Sequence, residues 1–453
     1  MFKNRLIGLL LYILLLASPL VGQTQFLYSQ NADGTLSISG YPGGGSSVVI
    51  PGSYQGYYVT GIGEYALAPN QTSVRSIVMN NNITFIRNSA LVGCINLVSV
   101  AIGNNVQSIG AGAFASCGMT NITIPATVIS IGQNAFRDCN NLTTVRIDGD
   151  EGGSGAGEIT IGTGAFADLP QLNSINLPNR LTSLGDGALS GNSGLTTIYI
   201  GNGLKRIGVS TFSWCNNLTS VTFGSSVASI GTEAFSYCTS LSSINIPNTV
   251  TSIETGAFKY CTNLTSVTIP NGSIGDLAFF DCLSLASVTL GNGVTSIGIQ
   301  TFDQCPKLIS LTIPSSVTNI GSWAFSPNLT SVFFMGNAPA VGNAFNANNI
   351  ATVYYLPGTS GWGPTFAGRP TALWTLPNPV ILNNGAGAGI RSNKFSFTMS
   401  WATNVPVVVD ACTSLTASAW SPIATNTLSG GTAYFSDPYW TNYPGRFYRV
   451  RPR

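Results

Sequence analysis

Leu241-Ser242-Ser243-Ile244-Asn245-Ile246-Pro247 is followed by Val250-Thr251-Ser252-Ile253, then by Ala257-Phe258 and Cys261, and a similar run opens again at Leu264. In this Leu-x-x-Ile-x-Ile the last two apolar residues alternate with polar ones, the period of a half-buried strand. Proline cannot donate to a sheet ladder, so Pro247 ends the strand. Val250-x-x-Ile253 supplies a second short apolar element. The Ala-Phe segment is too short for an independent helix and reads as a helical turn whose Phe plugs the space between neighbouring units. One such unit cannot bury its apolar side alone; stacked copies can.

The copies are present. The second residue of the Ala-Phe pair, or its variant, falls at Leu67, Leu91, Phe114, Phe136, Phe166, Leu189, Phe212, Phe235, Phe258, Phe279, Phe302, Phe325 and Phe345. Ten of the twelve spacings lie between 21 and 24. A period of this length is the signature of a repeat solenoid. The spacing of 30 between Phe136 and Phe166 marks an insertion around Asp148 to Glu158, glycine-rich and acidic. Carboxylates on a loop can ligate calcium, but the EF-hand spacing is missing, so the insertion reads as a solvated excursion.

Composition narrows the function. Charged residues are 8% of the 453, and there is no histidine. That removes Ser-His-Asp and Cys-His nucleophile arrangements and every His-containing zinc site, so the chain reads as not an enzyme, with no cofactor. Asp276 and Asp281 are close in sequence but fall in a repeat turn, where solvation is the simpler role. The net charge of +2 lacks the strong basic stripe of a nucleic-acid binder. It is unevenly spread: residues 23–368 carry nine Lys/Arg and fourteen Asp/Glu, and residues 369–453 carry seven and two.

Eight of the nine cysteines, Cys94, Cys117, Cys139, Cys215, Cys238, Cys261, Cys282 and Cys305, stand three residues after the Ala-Phe position. Equivalent positions in adjacent coils have parallel Cβ vectors, which is poor disulfide geometry. A column of buried thiols is the favoured reading, with disulfides between coils the alternative.

At the N-terminus Lys3 and Arg5 precede an apolar run from Leu6 to Leu16, and small residues lead to Gly22. This reads as a secretory signal peptide over 1–22, and the run is shorter than a membrane span needs. No transmembrane segment is expected in the mature chain.

Leu264-Thr265-Ser266-Val267-Thr268-Ile269-Pro270 and the Ile-Gly-x-x-Ala-Phe-x-x-Cys pattern resemble the BspA-type leucine-rich repeat of bacterial surface proteins. The resemblance implies a right-handed leucine-rich repeat solenoid with a parallel β-sheet, exported, with binding or adhesion roles and no catalytic residues. It divides the chain into a β lead-in over 23–60, repeats over 61–345 and a closing segment over 346–376. Pro377, Pro379 and the Gly/Ala run mark a linker over 377–390, and 391–453 reads as a small antiparallel β domain. Gly431 to Pro438 with Arg446 to Val450 is similar to a C-terminal module on exported proteins of Verrucomicrobia-like bacteria.

The expected function is protein or glycan recognition or adhesion by a secreted or cell-surface protein, the alternative being a structural envelope or matrix protein without a specific ligand. The outward strand residues Arg146, Asn176, Tyr199, Thr222, Asn245, Thr268, Thr289 and Thr312 form the candidate binding face. The C-terminal domain is a candidate for envelope attachment.

Overall fold

The computed structural model describes residues 25–68, 73–149, 157–346, 349–374, 379–382, 388–391, 394–401, 406–414, 419–428 and 432–452. The expected signal peptide and most of the acidic insertion lie outside these. The fold is a parallel β-solenoid with a C-terminal antiparallel β region, divided into two compact units, Met1–Ser226 and Val227–Arg453.

The first unit starts with an antiparallel pair, Leu27–Gln30 against Leu36–Gly40. The second of these strands then pairs in parallel with Tyr57–Ile62, so the lead-in forms the first rung of a sheet. From there each coil gives one strand to each of two parallel sheets. The first sheet is made by the Leu-x-x-Val-x-Ile segments in repeat register: Ile77 opposite Val100, Ile122 opposite Val145, Ile198 opposite Val221. The second is made by the Val-x-x-Ile elements, with Ile109 opposite Ile131 and Ile131 opposite Ile161. A Gly follows many of these Ile residues because the preceding coil passes close by. A Cβ on Gly132 would lie 2.5 Å from the Ala111 amide nitrogen.

The third side carries the Ala-Phe segments. All thirteen plug residues are buried. Phe114, Phe136 and Phe166 stack at centroid distances of 5.1 Å with nearly parallel rings. The segment is a tight turn rather than the expected helical turn. Its residues two before and two after the Phe have positive φ: Gly112 and Ser116, Asn134 and Asp138, Gly164 and Asp168. This turns alternate amides toward the next coil. Gly112, Phe114 and Ser116 donate to the carbonyls of Gln133, Ala135 and Arg137, each at 2.8 Å. A left-handed non-Gly residue costs roughly 1–2 kcal/mol, and the added inter-coil hydrogen bonds offset it.

The cysteines complete this side. All are unbridged and buried. Seven of the column donate S–H to the carbonyl of the plug residue one coil earlier, as Cys139 does to Phe114 at 3.0 Å and Cys261 to Phe235 at 3.2 Å. Asn192, which occupies the cysteine position of its coil, donates Nδ2 to the Phe166 carbonyl at 3.0 Å. The thiol is therefore a specific donor as well as a small apolar filler.

In the second unit, Ser266–Ile274 runs through both sheets as one strand. It pairs with Ser243–Asn245 at one end and Ser252–Ile253 at the other. Its coil has a Phe-to-Phe spacing of 21 and lacks the Val that opens the second element elsewhere. Ser310–Ile313, Ser331–Phe334, Thr352–Tyr355 and Arg369–Leu373 continue the first sheet in parallel. Thr365–Phe366 then folds back on Arg369–Leu373, and Trp362 fills the end against Phe334 and Phe366 at 5.0 Å each.

The C-terminal module is two antiparallel sheets. Lys394–Ser400 pairs with Val380–Leu382, Gly389–Arg391 and Thr432–Asp437; Pro406–Cys412 pairs with Ser421–Thr427 and Phe447–Pro452. Val380–Leu382 and the start of Gly389–Arg391 fall in the stretch that its prolines and glycines read as a linker. Phe397, Met399, Val407, Val409, Leu428 and Phe435 form the core between the sheets. The buried Ser400 hydroxyl donates to the Pro357 carbonyl at 2.8 Å, tying the module to the closing segment.

Phe136→Ala is expected to cost roughly 3–5 kcal/mol as a core truncation, against little for Thr123→Ala on the exposed face; comparable melting shifts for the two would contradict the stacking. Burial pushes the thiols of Cys139, Cys215, Cys261 and Cys305 up to about 12. An unfolded thiol ionises near about 8.5, so the unfolded state loses these protons first. Their contribution is intact below that pH and declines as pH rises toward the folded values. Melting temperature should fall steadily above about pH 8.5, and a flat profile to pH near 10.5 would contradict a buried thiol column.

Candidate functional site

The chain is rich in hydroxyls, and several threonines beside the strands are engaged within the fold. Thr143 and Thr219 donate to the Thr120 and Thr196 carbonyls one coil earlier, and Thr265 donates to Ser242. Thr84, Thr251 and Thr318 do the same on the second sheet. The row between the two inward positions of the first sheet is different. All eight candidate residues are exposed there. In the first unit Tyr199 lies opposite Thr222, and in the second Asn245 lies opposite Thr268 and Thr268 opposite Thr289. Among the described residues, the side chains of Tyr199, Thr222, Asn245, Thr268, Thr289 and Thr312 make no hydrogen bond.

Arg146 and Asn176 are engaged. Arg146 Nε donates to Asp148 at 2.6 Å. The Asn176 amide accepts from the Ile147 N–H and donates to the Ile147 carbonyl, both at 2.7 Å. It takes the place of backbone pairing beyond the last paired residues, Val145 and Ile175. These side chains border a concavity of about 330 Å³ together with Thr144, Gly149 and Ser174. The insertion leaves the coil here. Arg180 holds its two ends: Nε and Nη2 donate to the Asp148 carbonyl at 3.1 and 3.0 Å, and Nη1 donates to those of Gly157 and Val128 at 3.0 Å. Asp150 and Glu151, two of the four acidic residues of the insertion considered for calcium, lie outside the described residues.

Repeat alternation alone does not reveal how the row continues beyond Thr312. Register places Phe333 opposite Thr312 and Tyr354 opposite Phe333. Phe333 stacks on Tyr354 at 5.0 Å and meets Trp374 at 4.8 Å. The three rings are half-buried, so a line of free hydroxyls and one amide runs into an aromatic patch on one face. Phe333 and Tyr354 occupy the same repeat position as the threonines, which an alignment of the repeats could have found; Trp374 lies beyond the repeats and is brought in by folding.

Asp276 serves the fold, since its Oδ1 accepts the Ile299 N–H at 2.7 Å. Among the described residues no three Cys, Asp or Glu side chains group as metal ligands, and no helix is long and apolar enough to cross a membrane.

Asn176→Ala should destabilise the protein by roughly 1–3 kcal/mol, because it leaves the Ile147 peptide without its partners. Thr268→Ala should leave the melting temperature nearly unchanged. Equal, small shifts would mean that Asn176 is dispensable to the fold.

The chain matches the BspA type Leucine rich repeat region, in six copies, over residues 60–151, 157–265 and 253–361, more than half its length. Among solved structures it is similar to a leucine-rich repeat protein from Bacteroides ovatus, with 26% identity, a TM-score of 0.55, and coverage of 73% of this chain and 93% of that one. A leucine rich cell surface protein from Faecalibacterium prausnitzii matches with 23% identity, a TM-score of 0.40, and coverage of 75% and 95%. No curated protein matches the chain. The two-sheet coil, the stacked plug residues and the repeated match together place this chain in the BspA-type leucine-rich repeat family.

Proposed function

We propose that this is an exported, cell-surface recognition protein that binds a protein or glycan on its first-sheet face without turnover. The observation that carries the reading is the row Asn245, Thr268, Thr289, Thr312 leading into Phe333, Tyr354 and Trp374. The row offers unengaged hydroxyls on rigid strands, and the aromatic patch offers flat apolar surface. Recognition sites combine apolar and aromatic area with a few fixed polar groups. This combination favours a glycan, whose hydroxyls meet the row and whose C–H faces meet the rings. The apolar N-terminal run supports export, and the family's bacterial surface setting supports display. The C-terminal module, basic where the rest is acidic, is proposed to attach the protein to the envelope.

The test is a screen of the full mature chain on glycan and surface-protein arrays, followed by Thr289→Arg and Tyr354→Ala, with melting as the check on folding. A reproducible ligand whose binding drops at least about tenfold in either variant, near 1.4 kcal/mol, supports the reading. Absence of any ligand favours a structural envelope or matrix role. A ligand indifferent to both variants moves the site elsewhere.

A further inference from the structure

The last strand of the C-terminal module, Phe447–Pro452, has two unlike faces. Tyr448 and Val450 pack against the module core. Successive side chains of a strand alternate between faces, so Arg449 and Arg451 share the opposite one. Asp410 lies across the sheet from Arg449, and its side chain is 1% exposed. Oδ2 of this carboxylate accepts the Nε–H of Arg449 at 2.9 Å and that of Arg451 at 2.8 Å.

Two guanidinium groups thus converge on one oxygen. Their side chains remain 48% and 43% exposed. Arg449 lies over the Trp420 ring, 4.7 Å from its centroid. Nε faces inward to Asp410 in both, which leaves the Nη edges for other partners. Arg451 Nη1 donates to the Pro452 carbonyl; the Nη groups of Arg449 have no acceptor among the described residues.

The charges do not balance. Two cations share one carboxylate, for a local +1. From Arg369 to the end the sequence holds two acidic side chains, Asp410 and Asp437. Asp437 is already taken by Arg446 at 2.9 Å and by the Tyr448 hydroxyl at 2.7 Å. No other carboxylate side chain of the module is left to complete the Arg449–Arg451 pair, so its exposed Nη edges are open to an anion from outside. Arginine presents planar donor forks that match carboxylate and phosphate two bonds at a time. A carboxylate has two oxygens and satisfies one fork. A phosphate group has oxygens in several directions and can satisfy both.

We propose that Arg449 and Arg451, set in place by Asp410 and Trp420, form a phosphate-binding clamp on the C-terminal module. This deepens the envelope-attachment reading and rests on it only for where phosphate is met. The phosphate belongs to a glycan or to a lipid headgroup.

The full mature chain is titrated at low ionic strength with inorganic polyphosphate, with phosphatidylglycerol vesicles and with phosphatidylcholine vesicles. Saturable polyphosphate binding that weakens with salt is expected. Arg449→Lys/Arg451→Lys keeps both charges and removes both forks. It should weaken binding about tenfold or more, the value of one charge-assisted hydrogen bond. Tyr354→Ala, which alters no charge, should leave it unchanged, so this site and the strand face fail or succeed separately. Binding of phosphatidylglycerol but not phosphatidylcholine vesicles, lost in the lysine variant, assigns the lipid source; polyphosphate binding without vesicle binding assigns the phosphate to a source other than a lipid headgroup. Should the lysine variant not fold, modification of the native chain by an arginine-specific dicarbonyl, mapped by mass spectrometry, decides. Protection of Arg449 and Arg451 by polyphosphate, with Arg137 unprotected, supports the clamp. Absence of binding by the native chain, undiminished binding by the folded lysine variant, or modification of Arg449 and Arg451 indifferent to polyphosphate overturns it.

Discussion

A coil of this protein cannot satisfy its own backbone. On the first two sides its strands are two to four residues long in most coils and bond to neighbouring coils. On the third side the turn sends alternate amides to the next coil and receives thiol donors from it. Backbone donors and acceptors are answered by the coil before or after, which is the condition under which repeat stability becomes a sum over neighbours. The phenylalanine column is the apolar counterpart of the same rule: a ring such as Phe136 is covered because Phe114 and Phe166 lie on its two faces.

That rule explains which parts of the architecture are legible in the residues. Every plug position is readable because Phe or Leu recurs there at the repeat period. The cysteine column is readable as buried thiols for the same reason. The donor role of the thiol is not, since it depends on which carbonyl stands one coil away. The left-handed positions are also hidden. Gly112 and Asn134 hint at them, but Trp214, Tyr237 and Tyr260 adopt the same backbone with φ of 60 to 64°, and no side-chain preference announces that. There the inter-coil hydrogen bonds decide the backbone and residue type follows with a penalty. Val380–Leu382 and Gly389–Arg391 are obscured in another way: their flanking prolines and glycines look like a spacer, and their strand character comes from pairing with Lys394–Ser400.

The candidate face is partly legible. Alternation places all eight residues outward, and all eight are exposed. Alternation says nothing of whether an outward group is already engaged. Asn176 and Arg146 look like their neighbours in sequence, yet one substitutes for missing strand pairing and the other holds Asp148. The neighbouring threonine rows divide likewise, one row bonded to carbonyls and one unengaged. The division gives the first-sheet face its character: the bonded threonines help to hold the coils, and the unengaged row is held rigidly by bonds it does not itself make. The C-terminal module follows a different economy, with two carboxylates serving three arginines and leaving a positive remainder.

Arg180 separates the insertion from the coil that carries it. By gathering the carbonyls of Asp148 and Gly157 on one guanidinium, it fixes both ends of the excursion independently of the sequence between them. Closing a loop of a few more or fewer residues then changes the free energy only by the logarithm of its length. The site is therefore a natural socket for grafted sequence. A peptide epitope or a second binding loop could replace the residues between these two anchors while the strands on either side keep their register.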